Sequence, residues 1–368
     1  SLLFGFSGTP IQKENEKKRN NTATIFGNEL HRYSISDGIR DKNVLGFDIY
    51  KIETYKEQDL RKVVALEKAK ADDEVKALSD KKKKKIFLRY MNDVPMGSYY
   101  DLNGKRILGI ESYLPKSQYD CIEHRNEVVK DILNNWVVTS INSKYHALFA
   151  TSSIKEACEY YKLFKKYIEN GEYPLIRIAC LFDENTDGQF GFQKEILLSS
   201  MLDDYNSKFG TSFTIPTYKN YKKDVSARLA HKKPYNNVNS NNGTTIDLLI
   251  VVNQMLTGFD SAWINTLYLD KELEYENIVQ AFSRTNRLND DDKPAGIIKY
   301  YRKPNTMEKA ITEAFKVYSG DKTYGVFVDK LEKNLLHLNN IFKDIELIFT
   351  SNGIENFSKL PNSKEDKM

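Results

Sequence analysis

Residues 246–287 read IDLLIVVNQMLTGFDSAWINTLYLDKELEYENIVQAFSRTNR. The apolar run Ile246–Val252 is short and rich in β-branched residues, which predicts a strand buried on both faces of a parallel sheet. A polar loop follows over Asn253–Trp263, and Thr266–Leu269 predicts a second short strand. These elements in this order predict an α/β protein, in which ligands bind at the carboxyl ends of the strands.

Chemically useful side chains follow these two strands. In the loop, Gly258 can take backbone angles that other residues avoid, and Asp260 offers a carboxylate at the predicted carboxyl edge. A helix is predicted after the second strand, with Gln280, Arg284 and Arg287 at positions i, i+4 and i+7. Such a row lies along one side of a helix and can converge on one anion. Two arginines one turn apart are more often a solvated helix face, and spacing alone does not separate these two interpretations.

Composition describes an ordinary folded protein and sets few limits on function. The chain has 368 residues, 40% of them hydrophobic and 29% charged, which is enough for two domains or for one α/β domain with a helical appendage. A formal net charge of +4 is too small to indicate nucleic-acid binding by itself. Cys121, Cys158 and Cys180 are widely separated, so neither a disulfide framework nor a metal site is predicted. No apolar run approaches the ~20 residues of a membrane-spanning helix.

Several short motifs resemble those of superfamily 2 helicases. Gln280–Arg287 resembles Gln-x-x-Gly-Arg-x-x-Arg of motif VI, with Ser283 in place of the glycine, and the preceding strand and Thr-Gly-Phe-Asp loop resemble motif V. Leu256–Asp260 followed by Tyr268–Lys271 is closer still to the motor subunit (R subunit) of type I restriction enzymes. Gly5–Ile11 resembles motif III of the same subunits, and the motifs occur in the family's order.

The resemblance implies a fold and a domain organisation. We expect a RecA-like parallel sheet flanked by helices and followed by an all-α C-terminal region. Residues 1–25 would be the end of the first motor domain, with the motif III turn and a linker. Residues 26–303 would be the second RecA-like helicase domain with a charged helical insertion at about 55–140. Residues 304–368 would be a helical C-terminal domain, incomplete or frayed at its end.

The resemblance also implies nucleotide-binding and catalytic roles. Arg284 and Arg287 would contact the γ-phosphate of ATP, because a guanidinium is permanently charged and offers planar, forked donors. Gln280 would position the arginines or the attacking water. Gly258 and Asp260 would contribute to the nucleotide site, with Asp260 near the nucleotide or an arginine.

Further residues are assigned to DNA and to communication between the sites. Thr257 and Gly258, in the motif V loop, would lie near a DNA phosphate. Thr151 and Ser152 follow a predicted buried strand at the position of motif IV, where they would grip a DNA phosphate or simply cap the next helix, since both use the same chemistry. Ser7 and Thr9 would couple the ATP site to the DNA track.

Other segments give structural expectations. Leu2–Phe6 predicts a strand, and residues 12–25 predict a mobile polar loop. The run Lys81–Lys85 would be a DNA contact or, more commonly, a solvated helix end or flexible tip. His124 is interpreted as an ordinary capping or surface histidine.

The full subunit would be an ATP-driven double-stranded DNA translocase and a type I site-specific deoxyribonuclease in the cytoplasm. It would use ATP and Mg²⁺ and assemble with methylase and specificity subunits. Within these residues there is no Gly-x-x-x-x-Gly-Lys-Ser/Thr phosphate loop and no recognisable nuclease centre, so this portion alone should bind no cofactor and be inactive. Two alternatives remain, another superfamily 2 DNA or RNA helicase and a non-catalytic DNA-binding or assembly module.

Overall fold

The computed structural model describes residues 5–12, 16, 21–101, 104–182, 191–236, 245–319, 325–328, 331–354 and 357–359. The chain forms two compact units, residues 1–326 and residues 327–368, which are described separately. Across the described ranges, every helix is too short or too polar to cross a bilayer.

The first unit alternates helices and strands. Its helices are α1 (Thr22–Phe26), α2 (Ile35–Arg40), α3 (Glu57–Ala69), α4 (Glu74–Ser79), α5 (Lys81–Asn92), α6 (Ile122–Thr139), α7 (Ile154–Glu169), α8 (Gly191–Phe209), α9 (Tyr218–Leu229), α10 (Glu276–Phe282) and α11 (Pro304–Ser319). Its strands are β1 (Phe47–Lys51), β2 (Tyr99–Tyr100), β3 (Arg106–Ile107), β4 (His146–Thr151), β5 (Ile178–Leu181), β6 (Leu248–Val251), β7 (Ile264–Asp270) and β8 (Gly296–Tyr300). Short 3-10 helices cover Ile110–Ser112, Lys116–Gln118 and Ile215–Thr217.

Six strands form one parallel sheet in the order β1-β8-β7-β4-β6-β5, and β2 pairs with β3 in a separate antiparallel hairpin. The central strands β4, β6 and β7 are buried along their whole length. The run at Ile246–Val252 is therefore a central strand, as its apolar composition predicts. The predicted fold class, a RecA-like parallel sheet flanked by helices, is confirmed.

The chain between β6 and β7 has to cross the sheet without a helix. Both strands pair in parallel with β4, so the loop that leaves the carboxyl edge after Val251 must return to the amino edge before Ile264. Its last part lies at that amino edge, where the Trp263 carbonyl accepts a hydrogen bond of 2.9 Å from the His146 amide. The expectation that Asp260 lies at the carboxyl edge was therefore wrong, because this residue belongs to the returning half of the loop.

The N-terminal predictions were only partly correct. Residues 2–4 lie outside the described residues, and Gly5 and Phe6 are not in a strand; Phe6 is 98% exposed. The predicted loop over residues 12–25 is wrong at its end, because Asn21 caps α1 and accepts a hydrogen bond of 3.0 Å from the Thr24 amide. Within the same prediction, residues 13–15 and 17–20 lie outside the described residues.

The charged insertion is a helical subdomain with an apolar core of its own. Helices α3 and α5 pack against each other, and Leu60, Val64, Met96, Ile110, Leu114 and Tyr119 form one buried cluster. Helix α6 is different because it packs on the sheet, where its Asp131 accepts hydrogen bonds from the side chains of Lys299 and Tyr301. The insertion therefore ends before α6, earlier than the predicted residue 140.

His124 lies at the centre of a buried ionic network. Its Nε2 is 2.9 Å from Oδ1 of Asp270, and its Nδ1 is 2.8 Å from the Thr54 hydroxyl. The Arg302 guanidinium donates to Asp270 and, at 2.7 Å, to Asp120. Interpreting His124 as a surface or capping histidine was wrong, because its ring is fully buried between the insertion and the carboxyl end of β7.

Helix α11 belongs to the first unit. Its Phe315 ring lies 5.5 Å from the ring of Phe47 in β1 and 5.7 Å from that of Phe282 in α10. The predicted domain boundary at residue 304 is thus too early, and the two units divide after Val326. The second unit contains α12 (Leu331–Ser351), which confirms a helical C-terminal segment.

Replacing Asp270 by alanine should destabilise the protein strongly. The substitution leaves the buried His124 and Arg302 side chains without their shared carboxylate, and breaking a buried charge pair typically lowers the free energy of unfolding by about 3–5 kcal/mol. Urea unfolding of the chain measures this change. Asp291→Ala, at an exposed position, is the control and should change stability by less than ~0.5 kcal/mol.

The loss of unfolding free energy caused by Asp270→Ala should become smaller as the pH falls. Burial alone would raise the pKa of the Asp270 carboxyl, but the hydrogen bond from His124 and the nearby Arg302 hold that pKa below its ordinary value. The stabilisation is therefore complete above the unfolded aspartate pKa of about 3.9 and is lost as the pH falls through the lower folded pKa. If the difference in unfolding free energy between wild type and Asp270→Ala stayed constant as the pH fell, the lowered pKa of Asp270 in the folded state would be contradicted.

Candidate functional site

The arginine segment leaves its helix earlier than its spacing predicts. Helix α10 ends at Phe282, and the Ser283 hydroxyl donates a hydrogen bond of 2.7 Å back to the Val279 carbonyl. Arg284 and Arg287 lie in the turn and extended segment that follow. The prediction that they share one side of a helix with Gln280 was therefore wrong.

Backbone anchors hold this segment after the helix. The Thr285 hydroxyl donates to the Phe282 carbonyl at 2.9 Å, and its fully buried side chain lies against Gly296 at the start of β8. A side chain at Gly296 would collide with Thr285. The Asn286 carbonyl accepts a hydrogen bond of 2.8 Å from the Leu45 amide, just before β1. The arginines are thus presented from a fixed backbone near the amino edge of the sheet.

Both arginines contact the returning half of the β6–β7 loop. Arg284 donates through Nε to the Gln280 carbonyl at 3.0 Å and through Nη1 to the Phe259 carbonyl. Arg287 forms an ion pair of 2.9 Å with Asp260, and these two side chains are 45% and 70% exposed. Burial and the positive charge of Arg287 lower the pKa of the Arg284 guanidinium. The structure therefore brings Gln280, both arginines and Asp260 together by tertiary contacts.

The N-terminal turn reaches the same cluster. The Gln280 side-chain amide donates a hydrogen bond of 2.7 Å to the Thr9 hydroxyl, across 271 positions of sequence. The Thr9 amide donates to the Ser7 hydroxyl at 3.3 Å, and the Tyr318 hydroxyl donates to the Pro10 carbonyl at 3.1 Å. Ser7 and Thr9, which the sequence assigns to coupling, are thus connected to the arginine segment through Gln280.

Lys271 holds the first end of the β6–β7 loop. Its ammonium group donates to the Val252 carbonyl at 2.9 Å and to the Asn253 side chain at 2.7 Å. Burial lowers the pKa of Lys271. This lysine belongs to the Tyr-Leu-Asp-Lys motif, but its role was not predicted because the sequence does not show which loop it faces.

Lys293 holds the other end of the loop. Its ammonium group donates to the carbonyls of Ala262 and Ile264, each at 2.8 Å. The side chain is buried, and this burial together with the nearby positive Arg287 lowers the pKa of Lys293 to about 7. The sequence carried no signal for this role, because Lys293 follows an aspartate-rich stretch that predicts a surface loop.

A groove of about 540 Å³ lies between the loop and helix α9. Thr257 and Gly258 are exposed there, with Gly258 at φ +71°, a backbone conformation that favours glycine. Lys222 of α9 lines the same groove and supplies a positive charge. Phe259 also lines the groove, while its carbonyl accepts the hydrogen bond from Arg284. Adjacent loop residues therefore face the groove and the arginines.

The two hydroxyl residues after β4 have different surroundings. Thr151 is fully buried, and its hydroxyl donates to the Val251 carbonyl at 3.2 Å, so this side chain links β4 to the neighbouring strand β6. Ser153 caps α7 by accepting a hydrogen bond of 3.2 Å from the Glu156 amide. Ser152 is exposed and directly follows β4 at the carboxyl edge of the sheet. The geometry contradicts Thr151 as a phosphate contact, and Ser152 stays a prediction.

Two family models match the chain. Residues 143–303 match domain 3 of the type I restriction enzyme subunit R, and residues 1–85 match the SWI2/SNF2 ATPase family. The first match contains the groove and the arginine segment, and the second contains the N-terminal turn and the first part of the helical insertion, up to the start of α5.

Curated relatives cover most of the chain. It is 34% identical over 322 residues to the type I restriction enzyme SauCOLORF180P endonuclease subunit of Staphylococcus aureus strain COL, across 86% of this chain and 29% of the relative. It is also 34% identical over 323 residues to the SsaAORF53P endonuclease subunit of Staphylococcus saprophyticus, with the same coverage. The chain thus spans about 29% of the length of these relatives.

Solved structures show weaker likeness. A fragment described as an HsdR subunit of a type I restriction enzyme from Vibrio vulnificus has a TM-score of 0.42 and 12% identity, over 82% of this chain and 40% of that chain. The type ISP restriction-modification enzyme LlaBIII bound to DNA has a TM-score of 0.40 and 13% identity, over 85% and 17%. Both TM-scores are below 0.5, so these two structures add no support to the similarity found with the sequence relatives.

Replacing Lys293 by methionine should remove a specific pH dependence of stability. Between about pH 7 and 10 the unfolded lysine carries a proton that the folded lysine has lost, so raising the pH favours the folded wild type. Relative to Lys293→Met, the wild-type chain should gain up to ~1.4 kcal/mol of unfolding free energy per pH unit across this range. Urea unfolding at several pH values measures the gain. The control is Lys166→Met, at an exposed lysine, whose curve of unfolding free energy against pH should run parallel to that of wild type. If the Lys293→Met curve also ran parallel to wild type, the lowered pKa of Lys293 would be refuted.

Proposed function

The chain belongs to the R-subunit family of type I restriction enzymes, and we propose that it supplies arginines and DNA-backbone contacts to an ATP-driven double-stranded DNA translocase. In the full-length protein, residues 1–25 end the first motor domain, and the sheet with its flanking helices forms the second. The complete subunit acts as a type I site-specific deoxyribonuclease together with methylase and specificity subunits.

The arrangement of the loop Thr257–Asp260 carries this proposal. Thr257 and Gly258 face the groove, whereas Phe259 and Asp260 contact Arg284 and Arg287. A displacement of the loop by a ligand in the groove therefore moves the partners of both arginines. The loop is thus a short structural connection between the groove and the arginines. A motor needs such a connection to couple DNA binding to nucleotide hydrolysis.

The arginine segment fits the phosphates of a nucleotide. Two guanidinium groups come close together on a fixed backbone, and Arg287 is half exposed. Its ion pair with Asp260 lies at the surface, where such pairs contribute only about 0–1 kcal/mol, so a phosphate can replace the carboxylate at small cost. Arg287 then contacts the γ-phosphate and stabilises negative charge as the phosphoryl group leaves, while Arg284 keeps the loop against the segment.

ATP and Mg²⁺ need further residues. When bound, ATP would supply the free energy for movement through hydrolysis of its β–γ phosphoanhydride bond by water, which releases ADP and phosphate. This sequence has no Gly-x-x-x-x-Gly-Lys-Ser/Thr loop to cradle the phosphates, so the first motor domain holds the nucleotide and this chain completes the site. The isolated chain should accordingly neither retain ATP nor hydrolyse it.

The groove fits the backbone of a DNA strand. Thr257 offers a hydroxyl, Gly258 lets the backbone approach closely, and Lys222 supplies positive charge. Ser152 adds an exposed hydroxyl at the carboxyl edge. None of these groups reads a base, which suits an enzyme that moves along DNA of any sequence and takes its recognition site from a separate subunit.

Arg287→Ala should abolish most DNA-stimulated ATP hydrolysis. Loss of an arginine that stabilises phosphoryl transfer lowers turnover by roughly a hundredfold or more, because no other group neutralises the developing charge. The experiment compares full-length wild-type and variant subunits assembled with their methylase and specificity partners, with DNA binding and ATP binding measured in parallel.

Arg40→Ala is the matched control for this experiment. Arg40 also forms surface ion pairs with aspartates, at 2.9 Å to Asp37 and 3.1 Å to Asp41, but lies outside the proposed site. Its loss should leave turnover unchanged. Full turnover in Arg287→Ala would return this residue to a solvated surface role and favour a non-catalytic DNA-binding or assembly module.

The hydrogen bond between Thr9 and Gln280 should be required for DNA stimulation. Thr9→Val and Gln280→Leu each remove one partner of the 2.7 Å contact, and each should lower the DNA stimulation of ATP turnover by about five- to tenfold. In a double-mutant cycle, the double variant should be no worse than either single variant, because both remove the same interaction. Additive losses would show that the two side chains act independently.

A further inference from the structure

Helix α5 carries a concentration of positive charge that the proposed site does not use. Five lysines and Arg89 give this helix six positive charges and no negative one, more than the formal net charge of +4 of the whole chain. Lys83 donates to the Lys70 carbonyl at 2.9 Å. The other four lysines of the run are exposed and form what we name the basic cluster, namely Lys81, Lys82, Lys84 and Lys85.

The position of the basic cluster opposes the stability of its own helix. The N-terminal end of a helix carries a partial positive charge, so each cation in the first turn is unfavourable by a few tenths to about 1 kcal/mol. Asp80 offsets part of this, because its carboxylate accepts hydrogen bonds of 2.9 Å from the amides of Lys82 and Lys83. Helix stability therefore does not account for five lysines at this end.

Neighbouring carboxylates do not neutralise the basic cluster. Asp72 pairs with Lys76 at 2.8 Å, and Glu74 pairs with Lys62 at 2.7 Å, so these acidic residues are already bound to other lysines of the insertion. Among the residues that the structure describes, no carboxylate is within ion-pair distance of the basic cluster. Its positive field is open to solvent.

The basic cluster is held on a packed surface. Phe87 of α5 is only 5% exposed and packs against Ala65 and Ala69 of α3 in a buried cluster. Arg61 of α3 donates to the Val94 carbonyl at 2.7 Å, just beyond the end of α5. The interpretation of this run as a flexible tip does not fit these contacts, because the helix is fixed at both its buried face and its end.

We propose that the basic cluster binds the phosphate backbone of duplex DNA outside the groove. This inference rests on the proposed function, which makes double-stranded DNA the substrate of the full-length protein. Lys81, Lys85 and Arg89 follow one another at every fourth position, so they form a row along one side of the helix. Lysines are point charges without base-reading geometry, which gives a sequence-independent grip on a polyanion.

The salt dependence of DNA affinity tests this contact directly. In the full-length protein with random-sequence duplex DNA, Lys81→Gln with Lys85→Gln should reduce the slope of log K against log salt concentration by about 2. Substituting all four lysines of the basic cluster by glutamine should reduce it by about 3 to 4. Glutamine is a good helix former, and removing positive charge from this end of α5 should not unfold the helix.

The matched control changes two lysines of the same insertion that already have carboxylate partners. Lys62→Gln with Lys76→Gln removes the same charge but should leave the slope close to that of wild type. Equal slopes for wild type and Lys81→Gln with Lys85→Gln would overturn the proposal. So would an equal reduction by the control pair, because the effect would then follow net charge alone.

Other outcomes separate this inference from the proposed function. Unchanged salt slope with lost binding of the methylase or specificity subunits would assign the basic cluster to an acidic protein surface and overturn the DNA contact. DNA-stimulated ATP turnover at saturating DNA should be unchanged in the glutamine variants, since the basic cluster does not contact the arginine segment. A wild-type protein without any DNA-stimulated turnover would refute the proposed function, while the salt slopes would still report on the basic cluster.

Discussion

The parallel pairing of β4 with both β6 and β7 is the constraint on which the candidate site depends. Since β6 and β7 run in the same direction, the chain between them must travel back across the sheet. Lys271 fixes the start of this crossing by donating to the Val252 carbonyl and the Asn253 side chain, and Lys293 fixes its end by donating to two backbone carbonyls. The middle of the loop can therefore face the groove on one side and the arginines on the other.

Buried carboxylates connect the helical insertion to the same frame. Asp270 joins the end of β7 to His124 and Arg302, at the junction with the insertion. Glu111, also fully buried, accepts hydrogen bonds from the amides of Asn305 at 3.0 Å and Thr306 at 2.7 Å, at the start of α11. Because unpaired buried charges are costly, these contacts resist separation of the insertion from the sheet. The basic cluster and the arginine segment are consequently parts of one compact unit.

Local signals in the sequence predicted the elements better than their surroundings. The run Ile246–Val252 predicts a central strand because burial on both faces favours apolar side chains, and its one charged residue, Asp247, is paired with Arg177 at 2.9 Å. Thr266–Leu269 likewise predicts a strand, and it lies within β7 (Ile264–Asp270). The buried position of His124 could not be predicted in this way, because its partners Thr54 and Asp270 are distant in sequence and no local pattern indicates them.

Periodicity and short motifs depend on neighbouring residues, so they indicated the family, the α/β fold class and the residue types of the candidate site from the sequence alone. The way that site is assembled depends instead on contacts between distant segments. Helix α10 stops before Arg284 because Ser283 bonds back to the helix, and the arginines meet Gln280 and Asp260 through the returning loop. Thr151 is also polar, but its hydroxyl donates a hydrogen bond to the Val251 carbonyl within the sheet. Hydrogen-bond partners and burial arise between segments far apart in the chain, so no local pattern could specify them.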